Sequence, residues 1–389
     1  MRVAVVNLTQ GGLSGGSRKY LRHLIPLLQR DQRVGRLALF VHSRTVAELQ
    51  DTHLEVESWP ADDLWRRYAT LKSTLRKLAP DVIFFPTARW LAVGGIPTVI
   101  MVHNMEPLVA PVGGNRPGEV LKNLLRAYAA RVACRRATRI IAVSRYVHDF
   151  LRQRWGIHPD KMGLVYHGVE QPCSEDVPPS PAWLPRDWQE HFIFTAGSLR
   201  PYRGLEDIVR ALALLRDRRV VKRVVIAGVP DPGMHFYRRR LACLASQYRV
   251  ADHIVWAGQL TPCDMAWCFS HCAAFVMTSR VEACPNIALE AMSHGCLCVS
   301  SNNLPMPEFF GDAALYYQSG DAHSLAQQLT VLSDASAQQQ AVLRRRAQLQ
   351  TRQFRWEKTA QETITHLELA IGQGLSREGR SGALIERMP

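Results

Sequence analysis

The chain has 389 residues, 47% hydrophobic and 21% charged, with 48 Lys and Arg against 34 Asp and Glu for a formal net charge of +14. That length suits two domains with full cores, and the composition excludes a disordered or collagen-like chain; no apolar run reaches the length of a membrane span. The positive surplus implies an anionic partner, phosphorylated substrate or acidic membrane, and the absence of a recognisable nucleic-acid module argues against nucleic acid.

Residues 2–7 (RVAVVN) form a short β-branched run, too brief for a signal peptide and read as the first strand of a cytoplasmic protein. A glycine-rich stretch follows, then a helix with apolar Leu21, Leu24, Ile25 and Leu28. Strand, glycine turn and helix let backbone N–H groups approach a phosphate, which makes Gly11, Gly12, Gly15 and Gly16 candidates. A dinucleotide site would need G-x-G-x-x-G and an acid ending the second strand. Here the glycine spacing differs, and the strand over 36–41 runs into His42-Ser43-Arg44. An NADP-dependent oxidoreductase is therefore the alternative from another class.

Strands over 82–85, 98–102, 140–143 and 164–166, most separated by helices, complete a first α/β domain. His103 stands just beyond the carboxyl end of the 98–102 strand, where open α/β sheets bind ligands. Residues 119–139 read as a basic amphipathic helix, with Val120, Leu121, Leu124, Leu125, Tyr128 and Val132 on one side. Two readings stay open: the apolar side lies on anionic lipid, or it packs onto the sheet.

Prolines 172, 178, 179, 181 and 185 mark a linker over 172–189. A second α/β domain opens with the strand 192–196 and the loop G-S-L-R-P-Y-R-G (197–204). Strands over 224–227 and 254–256 run into further glycine loops.

The stretch 273–303 then reads as a strand (273–277), a polar loop with Glu282, a helix opened by Pro285, a Gly295 stop and a strand (296–300). Glu290, about a turn and a half into that helix, leans back toward the Glu282 loop. Carboxylates there could accept from sugar hydroxyls, while the turn Pro285, Asn286, Ile287 attracts phosphate. The nine cysteines include no CxxC pair and read as reduced, packed thiols; Cys263, Cys268, His271 and Cys272 read as a helix face rather than a zinc site. A helix led by Phe354-Arg355-Trp356 closes the chain near 374, leaving 375–389 as a polar tail.

Glu282, seven intervening residues and Glu290, followed by S-N-N-L-P-M-P-E-F-F-G-D-A-A (301–314), resemble the Glu-x7-Glu signature of the retaining GT-B glycosyltransferases of family 4. The resemblance extends over nearly the whole chain. It implies an α/β fold of two Rossmann-like domains facing a central cleft: 1–171 with a crossover helix over 354–374 on the acceptor side, and 190–353 binding a nucleotide sugar. It further implies retaining, metal-independent transfer of a hexose-type sugar from a GDP- or UDP-linked donor to a saccharide or lipid-linked acceptor in cell-surface polysaccharide or glycolipid synthesis. No cofactor is expected beyond this co-substrate, and peripheral contact with anionic membrane would suit a lipid-linked acceptor.

Carried onto this sequence, His103 resembles the acceptor-side histidine close to the transferred sugar. Glu282 would contact donor-sugar hydroxyls and Glu290 the ribose, beside Pro285, Asn286 and Ile287. Gly12, Gly15 and Gly16 resemble the glycine loop near the donor diphosphate. The loop 197–204 resembles the family's G-R-L-x-x-x-K-G, with two departures: Ser198 stands where arginine is usual and Arg203 where lysine is usual. Arg203 keeps the charge and adds a bidentate fork for the diphosphate; Arg200 is the candidate replacement for the missing cation. The segment V-Y-H-G-V-E (165–170) resembles the family's N-G-V-D segment with His167 in place of asparagine. Within this fold, a nucleotide-sugar epimerase or hydrolase is the alternative.

Overall fold

The computed structural model describes residues 1–9, 15–42, 56–59, 64–109, 114–172, 180–188, 192–217, 223–231 and 233–385. The chain divides into two compact units: Met1–Leu108 with Leu121–Gly168 and Phe354–Pro389, and Val109–Val120 with Val169–Gln353. Much of the 172–189 stretch, including residues 173–179, lies outside the described residues.

The first unit is built on β1 (Arg2–Val6), β2 (Arg36–His42), β3 (Val56–Trp59), β4 (Val82–Phe85), β5 (Thr98–Val102), β6 (Arg139–Ala142) and β7 (Met162–Leu164). They form one sheet in the order β3-β2-β1-β4-β5-β6-β7, every neighbouring pair parallel. A parallel sheet with helices on its faces buries both sides of its strands, which is why these segments read as unbroken apolar runs rather than alternating ones. Val3 to Val6, Val82 to Phe85 and Val99 to Val102 are buried throughout. β7 sits two residues earlier than the expected 164–166 strand, since pairing with β6 begins at Met162.

The helix Trp356–Ile385 belongs to this unit. Trp356 stacks on His23 with ring centroids 4.7 Å apart, and the Thr359 hydroxyl donates to the Tyr166 carbonyl at 2.7 Å. Gly168 permits the approach: a Cβ there would lie 2.4 Å from the Trp356 nitrogen. The helix continues to Ile385, past residue 374 where the sequence reading ends it. Gly379 and Gly382 lower helix propensity without ending a helix whose neighbouring residues are good formers.

The second unit carries β8 (Phe192–Ala196), β9 (Arg223–Ala227), β10 (Ile254–Gly258), β11 (Ala274–Met277), β12 (Cys298–Ser301) and β13 (Ala314–Tyr317). Their order is β10-β9-β8-β11-β12-β13, again all parallel. Its core gathers Val224, Ile226, Tyr237, Leu241, Val276, Val299, Leu325 and their neighbours. The expected strand at 296–300 starts two residues later, because Gly295, at φ +70°, turns the chain and the Cys296 N–H still donates back to the Ala291 carbonyl at 3.0 Å. Cys268, Cys272, Cys296 and Cys298 are buried free thiols, and Cys263 is exposed.

The helix Pro117–Arg136 bears on one of the two readings left open above, packing of its apolar side onto the sheet. Its buried positions are Asn123, Ala130, Ala133 and Cys134, while Leu121, Leu124, Leu125, Tyr128 and Val132 are exposed. The large apolar side chains therefore do not pack onto the sheet. The side chains it buries are mostly small.

Candidate active site

In the second unit the chain runs outward from β8 to β9 and β10, then returns to β11 on the other side of β8. This reversal places the loops after β8 and β11 side by side at the carboxyl edge, the usual crevice of an open parallel sheet. Three glycines shape it. Gly197 and Gly228 sit at φ +140° and +127°, and a Cβ on Gly228 would lie 1.8 Å from the Gly197 carbonyl oxygen. The loops after β8 and β9 thus cross in backbone contact, held by the Gly197 N–H to the Ala227 carbonyl at 3.0 Å and the Leu199 N–H to Val229 at 3.2 Å. Gly204, at φ +62°, ends the short helical turn Pro201–Arg203 and lets the chain pass the Thr278 carbonyl.

That turn directs Arg203 back across Gly197, whose missing side chain leaves room for the guanidinium. Its Nη1 lies 2.7 Å from Glu282 Oε1 and 3.3 Å from Ser279 Oγ, and the Ser279 hydroxyl donates to Glu282 at 2.9 Å. Burial raises the Glu282 pKa, with Arg203 and the Ser279 hydroxyl opposing the rise. The β8 and β11 loops are also stitched through backbone: the Thr278 hydroxyl donates to the Arg203 carbonyl at 2.6 Å and the Arg280 N–H to Tyr202 at 2.7 Å. A recess lined by Thr195, Gly197, Ser198, Arg203, Thr278 and Ser279 lies over the strand ends.

Behind the loop stands Asp207, fully buried. It accepts from Arg280 Nη2 at 2.7 Å, the Tyr317 hydroxyl at 2.9 Å and the Gly320 N–H at 3.1 Å. The Ser279 carbonyl in turn accepts from the Ser301 hydroxyl and the Asn303 amide. Buried charge is stable only when paired and hydrogen-bonded in this way. Sequence reasoning overlooked Ser279, Arg280 and Asp207. The available signal was the T-S-R-V-E run straight after a buried strand, a hydroxyl three residues before the acid.

Arg200, the candidate second cation, is only 16% exposed, and its guanidinium pairs with Asp231 and lies 3.8 Å from Glu119. Ser198 is half-buried in the recess. Pro285 is the residue before the helix Asn286–Ser293 rather than its first member. Proline carries no N–H, and the Asn286 N–H donates to the Cys284 carbonyl at 2.9 Å. Of the three expected phosphate-facing residues, Ile287 alone therefore brings an amide that the turn itself does not use. Glu290 is the fifth residue of this helix and half-buried.

In the first unit, His103 follows β5 and lines a small recess with Asn7, Ser17, Tyr20 and Thr87. The residue is half-buried, and desolvation by the surrounding protein pushes its pKa down to about 4, so the imidazole is neutral at physiological pH. The buried Thr87 hydroxyl beside it has no hydrogen-bond partner among the described residues. Gly15 and Gly16 are the first two residues of the helix Gly15–Arg30 rather than part of a loop, and a Cβ on Gly15 would meet nothing within 4 Å. Gly11, Gly12 and Arg44 lie outside the described residues. Among the described residues no cluster of three His, Cys, Asp or Glu could hold a metal ion.

Comparison with known proteins decides what this arrangement belongs to. The family described as glycosyl transferases group 1 matches residues 182–350, and glycosyltransferase family 4 matches residues 14–171. The chain belongs to these glycosyltransferases. Among curated relatives, an uncharacterized glycosyltransferase, YqgM, of Bacillus subtilis (strain 168) is 30% identical over 134 residues, 33% of this chain and 36% of that one. The O-antigen chain mannosyltransferase B of Escherichia coli is 29% identical over 207 residues, 51% of this chain and 52% of that one. The chain thus spans between about a third and a half of the length of these two relatives.

Solved structures match far more of it. HepE of Anabaena, in complex with UDP and glucose, superposes with a TM-score of 0.74 at 18% identity, covering 94% of this chain and 99% of that one. WaaG, a glycosyltransferase involved in lipopolysaccharide biosynthesis, superposes with a TM-score of 0.67 at 14% identity, covering 94% and 99%. These likenesses establish the fold.

Proposed function

We propose that this glycosyltransferase moves a hexose-type sugar from a GDP- or UDP-linked donor to a saccharide or lipid-linked acceptor, with retention of anomeric configuration. The observation that carries this reading is the contact of Arg203, Glu282 and Ser279 across a glycine crossing at the reversal of a parallel sheet. A cation and an acid held together at such an edge suit a diphosphate bearing a polyhydroxy group.

As the bond from the sugar anomeric carbon to the diphosphate breaks, its electron pair stays on the phosphate oxygen. Arg203, already fixed by its surroundings, stabilises that growing charge more in the transition state than before it. Arg200 joins it by exchanging its carboxylate partners for phosphate, and the Ile287 amide adds a fixed dipole. The acceptor oxygen attacks the face the phosphate leaves, and its proton passes to the departing phosphate oxygen. Glu282 accepts from sugar hydroxyls and Glu290 from the ribose. His103, neutral, offers a nitrogen lone pair to a hydroxyl without adding charge. With these groups carrying the charge, the reaction needs no metal and no cofactor beyond the nucleotide sugar. A lipid-linked acceptor would place the protein at the inner face of a membrane, in surface-polysaccharide or glycolipid synthesis.

A mass-spectrometric screen of nucleotide sugars with saccharide and lipid-linked acceptors tests the reading. Product heavier than the acceptor by one hexose is expected, together with a higher melting temperature in UDP or GDP and none in NADP. Sugar release to water alone, whatever acceptor is added, would replace transfer by hydrolysis.

A further inference from the structure

Twelve large apolar side chains are exposed among the described residues, and five of them lie on the helix Pro117–Arg136. They are Leu121, Leu124, Leu125, Tyr128 and Val132, between 37% and 72% exposed. At about 100° per residue they fall in one stripe about 100° wide, opposite the buried Asn123, Ala130 and Ala133. Cations flank the stripe, Arg131 on one side and Lys122 and Arg136 on the other, while Arg135 falls within it toward the helix C-terminus, all exposed. The only acid in the helix is Glu119, in its first turn.

We propose that this face is a docking surface for an anionic lipid bilayer, with the apolar side chains seated at the level of the acyl-chain boundary and the bordering cations on lipid phosphates. Charge decides the occupant. A protein partner or a second copy of this chain, itself strongly basic, would have to neutralise several cations around a greasy centre, whereas an anionic interface offers both chemistries at once. Tyr128, the most exposed of the five at 72%, carries a ring with a hydroxyl tip suited to the wet side of that boundary. The proposal supplies a contact surface for the membrane-side position proposed above, but stands without the transfer reaction, because no residue of the stripe is given a role in it.

The test is sedimentation of the full chain with phosphatidylcholine vesicles, alone or with about 30% phosphatidylglycerol. Binding is expected to the anionic vesicles, to weaken with added salt, and to be slight with neutral ones. The triple change Leu124→Ser, Leu125→Ser, Tyr128→Ser should reduce binding at least about tenfold while leaving the melting temperature unchanged or higher, since it removes no buried contact. Arg131→Gln with Arg135→Gln and Arg136→Gln should abolish the preference for anionic lipid. Equal vesicle binding by the triple serine variant overturns the proposal, as does absence of vesicle binding with a dimer that this variant makes monomeric. The UDP- or GDP-induced melting shift is read in the same samples. Its loss with vesicle binding intact counts against the proposed reaction alone, and the converse counts against this surface alone.

Discussion

Arg203 and Glu282 hold one another at 2.7 Å in a partly desolvated recess, so changing either partner affects the other. Replacing Arg203 by alanine removes a cation from the leaving phosphate and should cost on the order of a few kcal/mol of barrier, read as a fall in kcat/KM. Arg203→Lys should recover part of it, keeping the charge without the fork. Glu282→Gln separates two functions: turnover of the intact nucleotide sugar should fall, while affinity for the free nucleoside diphosphate should hold or improve, because Arg203 is no longer held by a carboxylate. Titration calorimetry beside steady-state kinetics checks this. Loss of both in parallel would make Glu282 a structural support instead. The acid and the arginine were legible in the sequence because they sit in strong local patterns. Ser279 and Asp207 were not, because their partners are distant in the chain: Asp207 meets Tyr317, 110 residues on.

At the scale of elements, the β8–β9 crossing depends on two glycines. Gly228→Ala places a carbon against the Gly197 carbonyl at a backbone angle that L residues avoid. The expected loss is on the order of 3 kcal/mol in urea unfolding, with weakened nucleotide binding. Gly372, inside the closing helix with nothing within 4 Å of an added Cβ, supplies the contrast. Gly372→Ala should stabilise by roughly 0.5–1 kcal/mol. Eleven strands were readable as apolar runs, some with shifted ends. The two overlooked strands, β3 and β13, lie at the outer edges of their sheets. Val56–Trp59 interleaves polar residues and Ala314–Tyr317 is half-buried at its middle positions, so neither has the uniform apolar character of a strand flanked on both sides. The helix Pro117–Arg136 was legible as a helix but not in its orientation. Periodicity finds an apolar face; only packing tells which face the protein keeps.

For the whole chain, acid should be destabilising well above the carboxylate range. Burial pushes His103 and His366 down to about 4, and His366 also sits 3.3 Å from the Arg139 guanidinium. An unfolded histidine titrates near about 6.5, so between these values the unfolded chain binds more protons. Stability therefore rises with pH through that window and is lost as pH falls across it. The urea midpoint should be lower at pH 5 than at pH 7.5, and His366→Asn, which keeps an acceptor for Arg139 but does not titrate, should narrow the gap. The Arg203–Glu282 ion pair also bears on the order of events in the proposed reaction. While guanidinium and carboxylate grip each other, neither is at liberty to activate a stray water. On the proposed reading, a diphosphate that draws the arginine away also uncovers the acid, so the leaving group would be recognised before the sugar and the site armed only by its cargo.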